Sequence, residues 1–216
     1  MRYAFYISGQ SGRLTKILDK YSSNELVLVI SDKKINKNLQ KIIESKQMKI
    51  EIIDDDKLEG KRKEKNLQIS NFILEKLMIN KIDYLFSFGS HILSGELLKK
   101  YENKLINFHP ALLPMFPGVS AIDQAVKHGN VLLVGNTAHF IDEGVDTGKI
   151  IMQSVIPLQS FKTSMNYDVV LDIQIQMFEK IIKIIDNDLL EINNNEVTIK
   201  NADYSKYNIY PYVEID

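Results

Sequence analysis

Leu105-Ile106-Asn107-Phe108-His109-Pro110-Ala111-Leu112-Leu113-Pro114 is an apolar strand that runs straight into an amide and an imidazole two residues apart, with two prolines stiffening its exit. Residues two apart in an extended chain point to the same side, so Asn107 and His109 are expected to face one spot beyond the strand's end. Further along lies a second dense stretch, Gly135-Asn136-Thr137-Ala138-His139-Phe140-Ile141-Asp142-Glu143-Gly144-Val145-Asp146-Thr147-Gly148. Both place titratable groups where a strand gives way to a loop. They are read as one active site, and the remainder as scaffold and acceptor pocket.

The apolar runs around that strand set the fold class. Residues 2–8 and 26–30 read as buried strands, with 49–53, 84–88 and 105–108 as further strands. Between them, helical spacing appears at Leu14, Ile17 and Leu18, at Leu39, Ile42 and Ile43, and over 67–78 with Leu67, Ile69, Phe72, Ile73, Leu74, Leu77 and Met78. A further helix is expected over 94–101. Strands alternating with helices imply parallel pairing and right-handed crossovers, an α/β fold. Ligands in such sheets sit beyond the carboxyl ends of the strands, which groups the turn at Gly9, the loop at Ser90 and the Asn107/His109 segment on one edge. Downstream, the pattern gives a helix over 120–128 stopped by Gly129, strands over 132–140 and 150–156, and a long helix over 164–186. A hairpin (189–192 with 196–200) and a Tyr-rich tail without period follow.

Composition excludes several function classes. The chain has 216 residues, 44% hydrophobic and 25% charged, with 27 basic against 28 acidic residues and a net charge of −1. That length suits one α/β domain with a full core. The mixed charge offers no nucleic-acid or membrane surface. Without cysteine there is neither a disulfide framework nor a thiolate metal site. Neither a leader nor an apolar span of membrane length is evident, so a cytoplasmic protein is expected.

An amide N–H and an imidazole converging on one point can stabilise a developing oxyanion, and imidazole can relay a proton near neutrality. Asp146 could hold that imidazole in its charged form, or take a proton through water from an attacking amine. The set suits acyl transfer to an amine without a protein nucleophile. Other readings stay open at this level. His139 is either a structural histidine or support for Asp146 or His109; His128 reads as a charge at a helix C-terminus. Gly9, Gln10, Ser11, Gly12 and Arg13 form either an anion cradle at a helix start or a plain left-handed turn. The charged run from Asp54 to Lys65 is either a solvated loop and helix start or, through Lys61, Arg62 or Lys63, a grip on an acceptor phosphate. His109, His139 and Asp146 match no metal-ligand spacing, and no metal is expected.

The segment Asn107 to Pro114, followed by Phe116-Pro117-Gly118 and Gln124-Ala125, resembles the N-x-H-P-x-L-L-P…P-G signature of the folate-dependent formyltransferases. The 135–148 stretch is similar to that family's second signature. Within the family both look closest to the branch that formylates glycinamide ribonucleotide, which would place the chain in one-carbon metabolism and purine biosynthesis. The resemblance implies a Rossmann-like formyltransferase fold with a mostly parallel central sheet flanked by helices, over residues 1–188, with 189–216 packed on the same domain. It implies 10-formyltetrahydrofolate as co-substrate and a phosphorylated small-molecule amine as acceptor. Asn107, His109 and Asp146 match the catalytic set, with His139 supporting. The pterin would lie between Ser90, His91, Ile92, Leu93 and the segment holding Ile141, Asp142, Glu143 and Val145. The turn Gly9, Gln10, Ser11, Gly12, Arg13 would grip the acceptor's phosphate. No pattern selects an oligomeric state; a dimer is compatible.

The acceptor side departs from that branch. Its first turn, S-G-x-G-S-N, is here Ser8-Gly9-Gln10-Ser11-Gly12-Arg13; its G-F-M-R-I-L loop is Phe88-Gly89-Ser90-His91-Ile92-Leu93. An E-H-x-x-Y-P motif in the long helix, whose Glu grips a ribose, is missing, with Ile175 or Gln176 at the Glu. An amino-sugar nucleotide is therefore the alternative acceptor, although such enzymes carry a longer C-terminal portion. A formyltetrahydrofolate deformylase, which lets water attack, is a lesser alternative, because that group has an extra N-terminal domain and this chain opens on its first strand.

Overall fold

The computed structural model describes residues 1–159, 162, 168–194, 196–205, 209–210 and 214. Its contacts gather into two units, Met1–Asn107 with Ile141–Glu143, and Phe108–Phe140 with Gly144–Asp216.

The first unit is built on parallel strands. In chain order it holds β1 (Tyr3–Ile7), α1 (Gly12–Lys20), β2 (Leu26–Ser31), α2 (Lys37–Ser45), β3 (Lys49–Ile52), a 3-10 turn (Asp55–Lys57), α3 (Arg62–Ile79), β4 (Tyr84–Phe88), α4 (Glu96–Lys100) and the start of β5 (Leu105–His109). The spatial order is β3-β2-β1-β4-β5, every pair parallel. All five residues of β1 are buried, as a strand covered on both faces must be, and this is why it reads as an unbroken apolar run. Tyr6, Leu28, Ile30, Ile73, Leu85 and Leu97 share one core cluster. Phe5 stacks on Phe86 at 5.9 Å between ring centres. Each side chain of this size, fully buried, stabilises by about 1.5–3 kcal/mol.

Helix α3 departs from expectation. It starts at Arg62, within the charged run and ahead of the apolar stretch 67–78, with the Lys61 N–H donating to Glu64 Oε2 at 2.6 Å. Its buried face is Asn66, Ile69, Ser70, Ile73 and Leu77, whereas Leu67 and Met78 are exposed. Two polar residues sit on that face because a neighbouring loop supplies their partners.

The second unit runs through the end of β5, α5 (Ala121–His128), β6 (Leu133–Phe140), β7 (Ile150–Pro157), α6 (Asp168–Asp186), β8 (Leu190–Asn193), β9 (Glu196–Ile199) and β10 (Ile209–Tyr210). The alternation rule fails here: β6 and β7 are antiparallel, as are β7 and β10. Residues 141–149 are too few for a crossover, so the chain must turn back on itself. Gly135 allows β6 to press against β7, since a Cβ there would lie 1.8 Å from the Ser154 carbonyl oxygen. The hairpin is β8 with β9; the expected start of the long helix at Ser164 lies outside the described residues. Helix α6 buries Val170, Gln174, Ile175, Met177, Phe178 and Ile181. The fold is thus α/β and Rossmann-like, with a mostly parallel sheet and flanking helices. No described helix is long and apolar enough to cross a membrane.

Candidate active site

Strand β5 carries His109 as its last residue, inside the strand rather than in the loop after it. Its ring is buried, with Nδ1 3.2 Å from Asp146 Oδ2. Its Nε2–H donates to the Phe116 carbonyl oxygen at 2.8 Å. A carbonyl and a carboxylate both only accept, so each ring nitrogen of His109 faces an acceptor. Asp146 in turn accepts the Gly118 N–H at 2.8 Å. His139, on β6, donates Nδ1–H to the Phe140 carbonyl at 2.8 Å and turns Nε2 toward Asp146 Oδ1 at 3.5 Å, an ion-pair distance. One carboxylate is therefore shared by two imidazoles.

The electrostatics follow. Burial alone would raise the Asp146 carboxyl, but the nearby His139 ring, the Gly118 N–H and the charge of His109 together hold it below the ordinary carboxylate range. The backbone is arranged around this group: Phe116, Ser120 and Asp146 all take left-handed φ of 54–56°. For a bulky residue such as Phe116 that conformation is rare and costs about 1–3 kcal/mol. It aims the Phe116 carbonyl at the His109 ring. Asn107, two residues before His109 on β5, is half-buried and ends the first unit.

The remaining expected residues lie within the first unit, apart from Val145, which is exposed in the second. Gly9 has φ +70° and its N–H donates to Ser31 Oγ at 3.1 Å. Ser11 caps α1 by accepting the Leu14 N–H at 3.1 Å. The N–H groups of Gly12 and Arg13, in the first turn of α1, have no acceptor within the helix. The Arg13 guanidinium lies over the Phe88 ring at 4.6 Å, and burial pulls its pKa down to about 10. Beside Gln10 opens a cavity of about 470 Å³, lined also by Thr15, Asn36, Lys37 and Asn38. Lys61, Arg62 and Lys63 stand exposed at the start of α3.

Around the Ser90 loop, Ser90 and Ile92 are exposed, while Leu93 is buried in the core that Ile141 packs against. Asp142 and Glu143 are exposed. The His91 side chain turns inward, with Nδ1 2.8 Å from Asn66 Oδ1 and Nε2 3.1 Å from Asp55 Oδ2. Sequence reasoning missed Asp32, Asn66, the Phe116 carbonyl and the Gly118 N–H. A lone acidic residue after an apolar strand was the one available signal for Asp32; main-chain groups carry none.

The formyl transferase family model matches residues 1–176. Phosphoribosylglycinamide formyltransferase of Bacillus subtilis is 40% identical over 106 residues, 49% of this chain and 54% of that protein. The human trifunctional purine biosynthetic protein adenosine-3 is 36% identical over 162 residues, 73% of this chain and 15% of that protein. Against these curated relatives the chain spans about half of the first and a small part of the second. Among solved structures, glycinamide ribonucleotide transformylase 1 of Symbiobacterium toebii has a TM-score of 0.77 at 25% identity, over 92% of this chain and 93% of that one.

Proposed function

The chain belongs to the formyl transferase family, and from that premise we propose that it moves a formyl group from 10-formyltetrahydrofolate to the primary amine of a phosphorylated small molecule, glycinamide ribonucleotide. The observation that carries this reading is the His109–Asp146 contact of 3.2 Å. It joins two distant segments into an acid–base pair with no protein nucleophile needed.

In this reading the amine attacks the formyl carbon, and the resulting oxyanion takes hydrogen bonds from the Asn107 amide and the His109 imidazolium. His109 Nε2 exchanges the Phe116 carbonyl for that oxyanion. Asp146 keeps the ring charged and takes the amine's proton through water. The intermediate then collapses: the bond from carbon to the folate nitrogen breaks, and that nitrogen ends with the proton. His139 supports Asp146 from the far side. The pterin lies along Ser90, Ile92 and Ile141, with Asp142 and Glu143 at its rim. The acceptor's phosphate is taken by the N–H groups of Gly12 and Arg13, with Lys37 across the cavity. The names of the relatives favour glycinamide ribonucleotide as acceptor.

The test is to incubate the protein with 10-formyltetrahydrofolate and, in parallel, glycinamide ribonucleotide, an amino-sugar nucleotide, or no amine, following folate absorbance. Turnover with glycinamide ribonucleotide alone is expected. Turnover only with the sugar reassigns the acceptor, and turnover without amine reassigns the reaction to hydrolysis. Asn107→Ala at full activity would remove the oxyanion role altogether.

A further inference from the structure

Loop 89–93 is fastened almost residue by residue within the first unit. Gly89 sits so close to the Tyr6 ring that a Cβ there would lie 2.2 Å from Cε1. The Ser90 N–H donates to Ser8 Oγ at 2.8 Å, and Ser8 Oγ donates to Asp32 Oδ2 at 2.7 Å. The His91 main-chain N–H bonds the Tyr6 hydroxyl, which itself donates to Asp32 Oδ2. Leu93 is buried, and the Ser94 N–H donates to Ser70 Oγ at 3.0 Å. Everything in the loop except the exposed Ile92 is tied down.

The His91 ring makes the charged part of this fastening. Asn66 from α3, Asp55 from the 3-10 turn and Asp32 from the end of β2 surround it, with Tyr6 of β1 beneath. Nε2 is 3.1 Å from Asp55 Oδ2 and 3.9 Å from Asp32 Oδ2, and Nδ1 meets Asn66 Oδ1. Both ring nitrogens thus face side-chain oxygens, an arrangement suited to a ring that donates from each. Asp32 is fully buried, and among the described residues Asp32 Oδ1 and Asp55 Oδ1 have no hydrogen-bond partner. Buried carboxylates left in that state are costly without a counter-charge. An imidazolium between them would supply one, and a neutral side chain would not.

We infer that His91 is a positioning residue: its imidazolium, lodged between Asp55 and Asp32, fixes loop 89–93 in the shape that offers the main-chain groups beside Ser90 and Ile92 to the pterin. This rests on the folate reading above. It replaces a direct cofactor contact by the His91 side chain with an indirect one. The clamp meets the acceptor turn through Ser8, whereas it holds loop 89–93 at several points, so the larger effect belongs to the folate half of the reaction.

Binding of tetrahydrofolate to the full chain, measured by calorimetry alongside steady-state kinetics, tests it. His91→Gln and His91→Ala are expected to weaken tetrahydrofolate at least about tenfold and raise the KM for the formyl donor by a similar factor. Their kcat and acceptor KM should move less than about twofold. His91→Arg, a permanent cation, is expected to recover most of the binding, which loss of packing alone would not allow. Asp55→Asn should weaken folate as well, and the His91→Ala/Asp55→Asn double variant should cost no more than either single change. A folded His91→Gln that binds tetrahydrofolate as the wild type does overturns the inference. Should the wild type bind no tetrahydrofolate, the folate reading fails instead. The clamp is then decided by nitrogen NMR of the ring at pH 7, where two protonated nitrogens support it and a neutral ring overturns it.

Discussion

Asp146 does three things with one carboxylate: it accepts the Gly118 N–H, and its two oxygens face His109 and His139. Asparagine in its place keeps an acceptor for Gly118 but removes the negative charge beside His109 on which the proposed reaction relies. Asp146→Asn is therefore expected to fold and to lose about 10²–10⁴ in kcat, with both KM values nearly unchanged. Single-turnover kinetics with circular dichroism as the folding check would show it. An equal loss in KM would mean that the residue shapes the pocket rather than the chemistry. Asn107→Ala removes a neutral oxyanion donor and should cost about 10²–10³ in kcat. These residues could be named from sequence because their types are chemically rare and closely spaced. The Phe116 carbonyl could not, because only a left-handed backbone at that residue turns it to the ring.

At the scale of elements, hydrophobic runs carried the reading furthest. Strands β1, β2, β4 and β5 are buried on both faces and so announce themselves as continuous apolar segments. Helix α3 was harder: its first turn has no apolar residue, and its buried face includes Asn66 and Ser70, whose partners His91 and Ser94 lie 25 and 24 residues away. The β6–β7 reversal was legible only as a loop too short for a crossover. A buried amide network behind β6 was invisible for the same reason as Asn66. Gln174 on α6 donates to Asn136 Oδ1 at 2.7 Å, and Asn136 donates to Ser154 Oγ at 3.1 Å. Gln174→Ala would strand the Asn136 oxygen and is expected to destabilise by about 1–3 kcal/mol in urea unfolding. Gly135→Ala drives a methyl into the Ser154 carbonyl and Leu112. It should cost about as much or more, read as a lowered Tm. A Gly135→Ala protein as stable as wild type would mean that β6 and β7 separate easily.

For the molecule as a whole, a net charge of −1 leaves little long-range field, so a few buried groups decide how stability depends on pH. On the acid side the depressed Asp146 carboxyl contributes stability that is complete above the ordinary carboxylate range. That contribution is lost as pH falls through its folded value. On the alkaline side Tyr6 is one such group. Burial first, then the charge of Asp32, raise its phenol far above the ordinary value. The folded chain therefore keeps this proton while the unfolded chain releases it. The stability it contributes is intact below the ordinary phenol pKa of about 10 and falls above it by about 1.4 kcal/mol per pH unit. Tyr6→Phe separates the two effects. Near pH 7 it should be less stable by about 1–3 kcal/mol, because Asp32 loses a donor it cannot replace with water. Above pH 10 its unfolding midpoint should fall less steeply than that of the wild type, so that the two curves converge. Curves that fall in parallel would show that the Tyr6 proton is not retained on folding, and that some other buried group sets the alkaline limit.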